Sequence, residues 1–272
     1  MSRLEKRFAD LQAARRRALI PFITAGDPTP AVTVPLLHRM VRAGADILEL
    51  GVPFSDPMAE GPAIQKACER ALVHHVSLHD VLAMVREFRS QDADTPIVLM
   101  GYLNPIEILG YENFAREAAQ AGVDGVITVD LPPEEAAEYV AAFRAHGLDP
   151  VFLLAPTSTE ERIQRVAEVA SGFVYYVSLR GVTGASHIDM SEVRSKLEAI
   201  RKRITLPLGV GFGVKDARIA AEVARFADAV VVGSAVVNRI ADRADSQTAI
   251  LKDIPEFIAE LRTAMDGVEV AA

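Results

Sequence analysis

A carboxylate inside an apolar strand-like run is the first residue here whose type and place could do chemistry. Glu49 stands in Ile47-Leu48-Glu49-Leu50-Gly51. Acidic side chains are almost never fully buried unless something pairs with them. Two readings follow: an ion pair with a neighbouring arginine, or an acid–base group lining a substrate pocket. In the second, desolvation raises the pKa, which suits a group that gives and takes a proton near neutral pH. Asp56 and Glu60 follow in the next loop. They are either solvated loop charges or partners that split two roles with Glu49. A second set of residues could hold an anion. Gly209-Val210-Gly211-Phe212-Gly213, Gly233-Ser234 and Gly181-Val182-Thr183-Gly184 bring backbone amides close to one another, and Ser234 opens a short helical stretch. Glycine turns and helix N-termini are both anion sites, so phosphate is the expected ligand.

Other chemistries are poorly supplied. The lysines, Lys6, Lys66, Lys196, Lys202, Lys215 and Lys252, all fall outside strand-like runs. A Schiff-base mechanism needs a lysine in the pocket, so it is disfavoured. The six histidines form no metal-ligand spacing, and no metal is expected. The lone cysteine, Cys68, lies in an Ala- and Leu-rich helical stretch and reads as ordinary packing.

These residues need elements to position them. Eight short β-rich runs cover residues 18–24, 47–52, 96–102, 125–129, 150–155, 173–178, 206–211 and 229–233. Helical patterns lie between them, with starts at Thr29-Pro30, Ser77/Asp80 and Ser158/Glu161 and stops at Gly44, Gly122 and Gly147. Runs without strict alternation are those of parallel strands covered on both faces. Eight βα units without a linker predict one (β/α)8 barrel, a single domain over residues 1–272. A doubly wound sheet is the alternative, weakened because no Gly-x-Gly-x-x-Gly follows the first strand. Leu4, Phe8 and Leu11 share one face of an extra N-terminal helix, about residues 1–16, placed to cover the barrel bottom. Residues 53–61 form an inserted loop, residues 62–73 an added helix, and residues 267–272 a frayed tail. The 272-residue chain carries 29 basic and 37 acidic residues, a net charge of −8, and half of it is hydrophobic. That argues against nucleic-acid binding and against bulk disorder. No apolar run reaches membrane-spanning length, and the N-terminus lacks a signal core, so a cytoplasmic protein is expected.

Together these residues resemble the tryptophan synthase alpha chain. The resemblance rests on Pro21-Phe22-Ile23-Thr24-Ala25-Gly26-Asp27-Pro28 and on Leu48-Glu49-Leu50-Gly51-Val52-Pro53-Phe54-Ser55-Asp56-Pro57. It continues through Gly101-Tyr102, Asn104-Pro105, Asp130-Leu131-Pro132, Leu154-Ala155-Pro156-Thr157, Gly181-Val182-Thr183-Gly184, Gly211-Phe212-Gly213 and Val232-Gly233-Ser234-Ala235. It implies a (β/α)8 lyase that reversibly cleaves indole-3-glycerol phosphate to indole and glyceraldehyde 3-phosphate. It also implies a beta chain carrying pyridoxal phosphate, in an alpha2-beta2 heterotetramer that makes tryptophan from the indole and serine. By the same resemblance Glu49 is the general acid–base. A second carboxylate, usually Asp, holds the indole N–H; here the position is Glu60, one methylene longer. Gly184, Gly213, Gly233 and Ser234 would hold phosphate. Phe22, Met100, Tyr175 and Phe212 would form the indole slot, with Met100 readable equally as barrel core. Residues 180–188 would be a lid in which Thr183 touches the carboxylates. Pro53, Asp56, Asn104 and Pro105 would face the beta chain. The rival readings are another phosphate-binding barrel isomerase or lyase, and an idle barrel that only activates a beta partner.

Overall fold

The computed structural model describes residues 1–178, 190–211 and 213–268. Its strands are β1 (Ala18–Thr24), β2 (Leu48–Gly51), β3 (Ile97–Gly101), β4 (Gly125–Thr128), β5 (Asp149–Leu154), β6 (Val174–Val177), β7 (Leu208–Gly211) and β8 (Ala229–Val232). Each pairs in parallel with the next, and β8 closes on β1, so the sheet is a barrel and not the doubly wound alternative. Every expected strand is present: β1 matches its run, β5 lies one residue earlier, and the others are trimmed by one or two residues at an end.

All seven residues of β1 are buried, yet they serve different cores. Ala18 and Ile20 join Ile47, Val98, Ile127, Val151, Phe173, Ala229 and Val231 inside the barrel. Leu19 and Ile23 instead join Leu48, Leu50, Leu99, Val210 and Val230 in the layer between sheet and helices. Side chains alternate faces along a strand, and both faces here are apolar, which accounts for the unbroken hydrophobic runs.

Helix α1 (Arg3–Ala13) seals the bottom. A reciprocal Ser2–Glu5 capping box starts it and buries Leu4, Phe8 and Leu11 as expected, with Phe8 5.9 Å from Phe173 ring to ring. It is shorter than the expected 1–16 because Arg15 takes a left-handed φ of 52°. A ring of carboxylates reinforces the same end. Asp46, Asp124 and Asp228 precede β2, β4 and β8 and accept the amides of Leu19, Ile97 and Leu208 at 2.9, 2.7 and 2.8 Å. Arg262 reaches Asp46 at 3.0 Å, Arg89 and Arg3 reach Asp124 at 2.7 and 2.8 Å, and Arg201 reaches Asp228 at 2.8 Å. Pairing buried Asp46 and Asp124 and half-buried Asp228 each with both an amide and a guanidinium offsets their desolvation.

Helix starts are mostly where expected. Ser77 and Asp80 make a capping box on α4 (Leu78–Arg89). The cap of α8 (Glu160–Val169) is Thr159, one residue later than expected, with its hydroxyl accepting the Arg162 amide. Ser158 instead closes the preceding turn by accepting the Ala155 amide at 3.0 Å. The last helix, α12 (Gln247–Asp266), stops before Gly267, and residues 269–272 of the expected tail lie outside the described residues.

Candidate active site

The barrel end opposite α1 gathers the candidate residues. Glu49 lies on β2, in register with Phe22 of β1 and Val98 of β3. It is 1% exposed, and its Oε2 is buried with no hydrogen-bond partner. No cation pairs with it among the described residues, so the ion-pair reading is set aside. Burial, with the charge of Glu60 adding to it, pushes its pKa up to about 8.

Glu60 is half-buried on the loop after β2, and burial raises its pKa to about 7. The loop has no sheet partners of its own and is tied down piecewise. Phe54 stacks on Tyr102 with centroids 4.9 Å apart, and the Ala59 amide donates to the Tyr102 hydroxyl at 2.9 Å. The Glu60 amide donates to Pro57 O at 3.0 Å, and Gln65 Nε2 donates to Glu60 O at 2.9 Å. Gln65 belongs to the added helix, α3 (Pro62–Leu72). A bidentate pair from Arg70 of α3 to buried Asp27, at 2.6 and 2.8 Å, docks that helix on the turn after β1. Cys68 is buried beneath the loop, as its packing role requires. Asp56 behaves differently from Glu60: it is exposed and accepts the Ser55 hydroxyl at 2.5 Å. Of the two loop acids, only Glu60 adds its charge to the raised pKa of Glu49.

Phe22 is buried and Met100 half-buried, and they pack with Ala67 and Val237 above the barrel core. Met100 and half-buried Tyr175 also border the inner core. Two glycines that were not singled out as pocket residues make room for these rings. A Cβ on Gly51 would come within 2.6 Å of Phe22 Cζ, and one on Gly211 would overlap the Tyr175 phenol. Burial, then Glu49 and Glu60, hold the Tyr175 hydroxyl well above its ordinary pKa, so it remains protonated. The signal for both glycines was their place at a strand end beside a pocket aromatic.

Gly213 is exposed with φ 77°, a conformation that favours glycine. Gly233 precedes α11 (Ser234–Ala241), whose start has no side-chain cap. The first amides of a helix lack internal acceptors, so they are available to an anion. Thr183, Gly184, the expected lid 180–188 and Phe212 lie outside the described residues. Of the residues expected to face the beta chain, Asp56 and Asn104 are exposed and Pro105 is half-buried. Pro53 is buried within this chain, so it shapes the loop rather than offering surface. Met58 and Ile108, 88% and 79% exposed, add apolar surface that the sequence reading passed over. Among the described residues no group of three or more His, Cys, Asp or Glu is placed to hold a metal ion, and no helix is long and apolar enough to cross a membrane.

A sequence profile of the family described as Tryptophan synthase alpha chain matches residues 8–266. The chain belongs to the tryptophan synthase alpha chain family. It is 65% identical to the tryptophan synthase alpha chain of Thioalkalivibrio sulfidiphilus, covering 98% of this chain and all of that one. It is 60% identical to that of Methylococcus capsulatus, again over 98% of this chain and 100% of the relative. The crystal structure of tryptophan synthase subunit alpha from Legionella pneumophila superposes with a TM-score of 0.93 at 46% identity, covering 98% of this chain and 100% of that chain. The activity of the family is a carbon–carbon lyase step in tryptophan biosynthesis: indole-3-glycerol phosphate is cleaved to indole and glyceraldehyde 3-phosphate.

Proposed function

We propose that Glu49 and Glu60 divide the acid–base work of this cleavage. One observation carries the reading: a buried carboxylate that has no cation, and whose Oε2 has no hydrogen-bond partner, among the described residues feels the charge of a second, half-buried carboxylate, and both pKa values are raised. At neutral pH the deeper group holds a proton and the shallower one is substantially ionised. Glu49 gives its proton to the ring carbon that bears the glycerol chain. The ring nitrogen becomes positive, and its N–H becomes a stronger donor to the Glu60 carboxylate. Glu49, now ionised, takes the proton of the adjacent hydroxyl. That O–H pair forms the aldehyde carbonyl as the C–C bond breaks, and the bond pair restores the indole ring. Glu49 ends as it began, protonated. Glu60 contributes because its partner's charge is larger in the transition state than in the ground state.

Gly184, Gly213, Gly233 and Ser234 hold the phosphate, and Phe22, Met100, Tyr175 and Phe212 hold the indole, with Thr183 against the carboxylates. The whole chain acts as one domain in the cytoplasm. The beta chain docks against the face of Asp56, Asn104 and Pro105 in an alpha2-beta2 assembly, and pyridoxal phosphate belongs to that partner. The buried carboxylate pair favours this reading over an idle barrel, which would bind phosphate equally well.

The pH dependence of indole release tests it. An acid must be protonated, so activity falls as pH rises through about 8. A carboxylate must be ionised, so activity falls as pH drops through about 7. A profile flat from pH 6 to 9 would contradict the division of roles.

A further inference from the structure

We infer that Gln65 is a positioning residue for the Glu60 carboxylate, acting through the main chain without touching substrate. This rests on the reading of Glu60 as the group that meets the indole N–H. Gln65 is the fourth residue of α3, and its own amide is already used on Gly61 O at 3.1 Å. Its side chain turns back past the helix start. There Nε2 donates to Glu60 O at 2.9 Å, with Pro57 O at 3.5 Å beside the same amino group. A side chain serving the helix itself would accept from first-turn amides. Gln65 does the reverse: it donates to a carbonyl that precedes the helix, so the bond serves the loop.

The consequence for Glu60 is specific. Its N–H is held by Pro57 O and its C=O by Gln65, while its carboxylate takes no hydrogen bond among the described residues. The peptide on each side is therefore fixed and the acid is left for the substrate. Tyr102 holds the loop at Phe54 and at the Ala59 amide, but Gln65 is the side chain that holds the Glu60 carbonyl, and without that bond the carbonyl can rotate and swing the acid away from Glu49. Misplacing a reacting partner by about 1 Å can cost roughly a hundredfold in rate.

The test is a double-mutant cycle on the full chain, reading kcat and KM for indole release together with the thermal midpoint. The four proteins are wild type, Gln65→Met, Glu60→Ala and the double variant. Methionine keeps the length of glutamine and removes the donor. Gln65→Met is expected to lower kcat roughly tenfold to a hundredfold with KM within about twofold, since the phosphate end still binds. In the Glu60→Ala background the same change is expected to cost nothing further. An equal loss in both backgrounds, a wild-type kcat for Gln65→Met, or a rise in KM alone would overturn the inference. If Glu60→Ala cleaves like wild type, the reading of Glu60 itself falls. If Glu60→Ala is slow and Gln65→Met is not, only the role of Gln65 falls. Should Gln65→Met fail to fold, Gln65→Asn, whose donor is too short to reach Glu60 O, takes its place in the cycle.

Discussion

Replacing Glu49 with glutamine should stabilise the protein while abolishing its chemistry, and the two effects share one cause. The carboxyl has an ordinary pKa of 4.5 and one of about 8 in the fold. Between these values the unfolded chain is ionised and the folded chain is not. The folded state therefore binds more protons, and the stability tied to Glu49 is full below pH 4.5 and declines as pH rises, until the folded group ionises at about 8. Each unit of that window is worth about 1.4 kcal/mol, so from pH 5 to pH 7 wild type should lose about 2–3 kcal/mol relative to Glu49→Gln, which cannot ionise. The group is 1% exposed, so solvent screening does not dilute the effect. Urea unfolding of both proteins at the two pH values reads the difference, and the other carboxylates, common to both, largely cancel. Indole release by the same variant should fall by at least 10²–10⁴-fold, the usual worth of a positioned proton donor. A stability gap that does not change with pH would refute the buried, protonated Glu49. A stabilised variant that still cleaves would refute its catalytic role.

Three further outcomes are expected. Glu60→Asp should keep substantial cleavage and Glu60→Ala lose roughly 2–4 kcal/mol of transition-state stabilisation, while Asp56→Ala cleaves nearly normally; rates with saturating beta chain decide, and a damaging Asp56→Ala with a benign Glu60→Ala would reverse the assignment. Gly51→Ala should push Phe22 out of place, because its Cβ would come within 2.6 Å of Cζ, and so raise KM; an unchanged KM would show that the Phe22 ring does not bound the substrate slot. Adding the beta chain should raise the cleavage rate severalfold, because docking on the Asp56–Asn104 face orders the loop that carries Glu60; identical rates with and without it would remove that coupling.

Much of this was legible in one dimension. Apolar runs at βα spacing specify a barrel because each strand must cover two faces and each helix one. A glutamate in the middle of such a run stands out because burying it costs free energy that the fold alone gives no reason to spend. The ring at the barrel bottom was not legible: Asp46, Asp124 and Asp228 look like loop acids until closure brings each beside a neighbouring strand's amide and a distant arginine. Nor could composition tell Asp56 from Glu60, four residues apart on one loop. Their difference comes from contacts across the fold, where Tyr102 and Gln65 pin residues 59 and 60 and leave residue 56 in water. Sequence determined which residues were available for chemistry, since residue type and periodicity are local properties. Tertiary structure decided which of them meet, because burial and the pKa shifts it causes depend on what the rest of the chain folds around them.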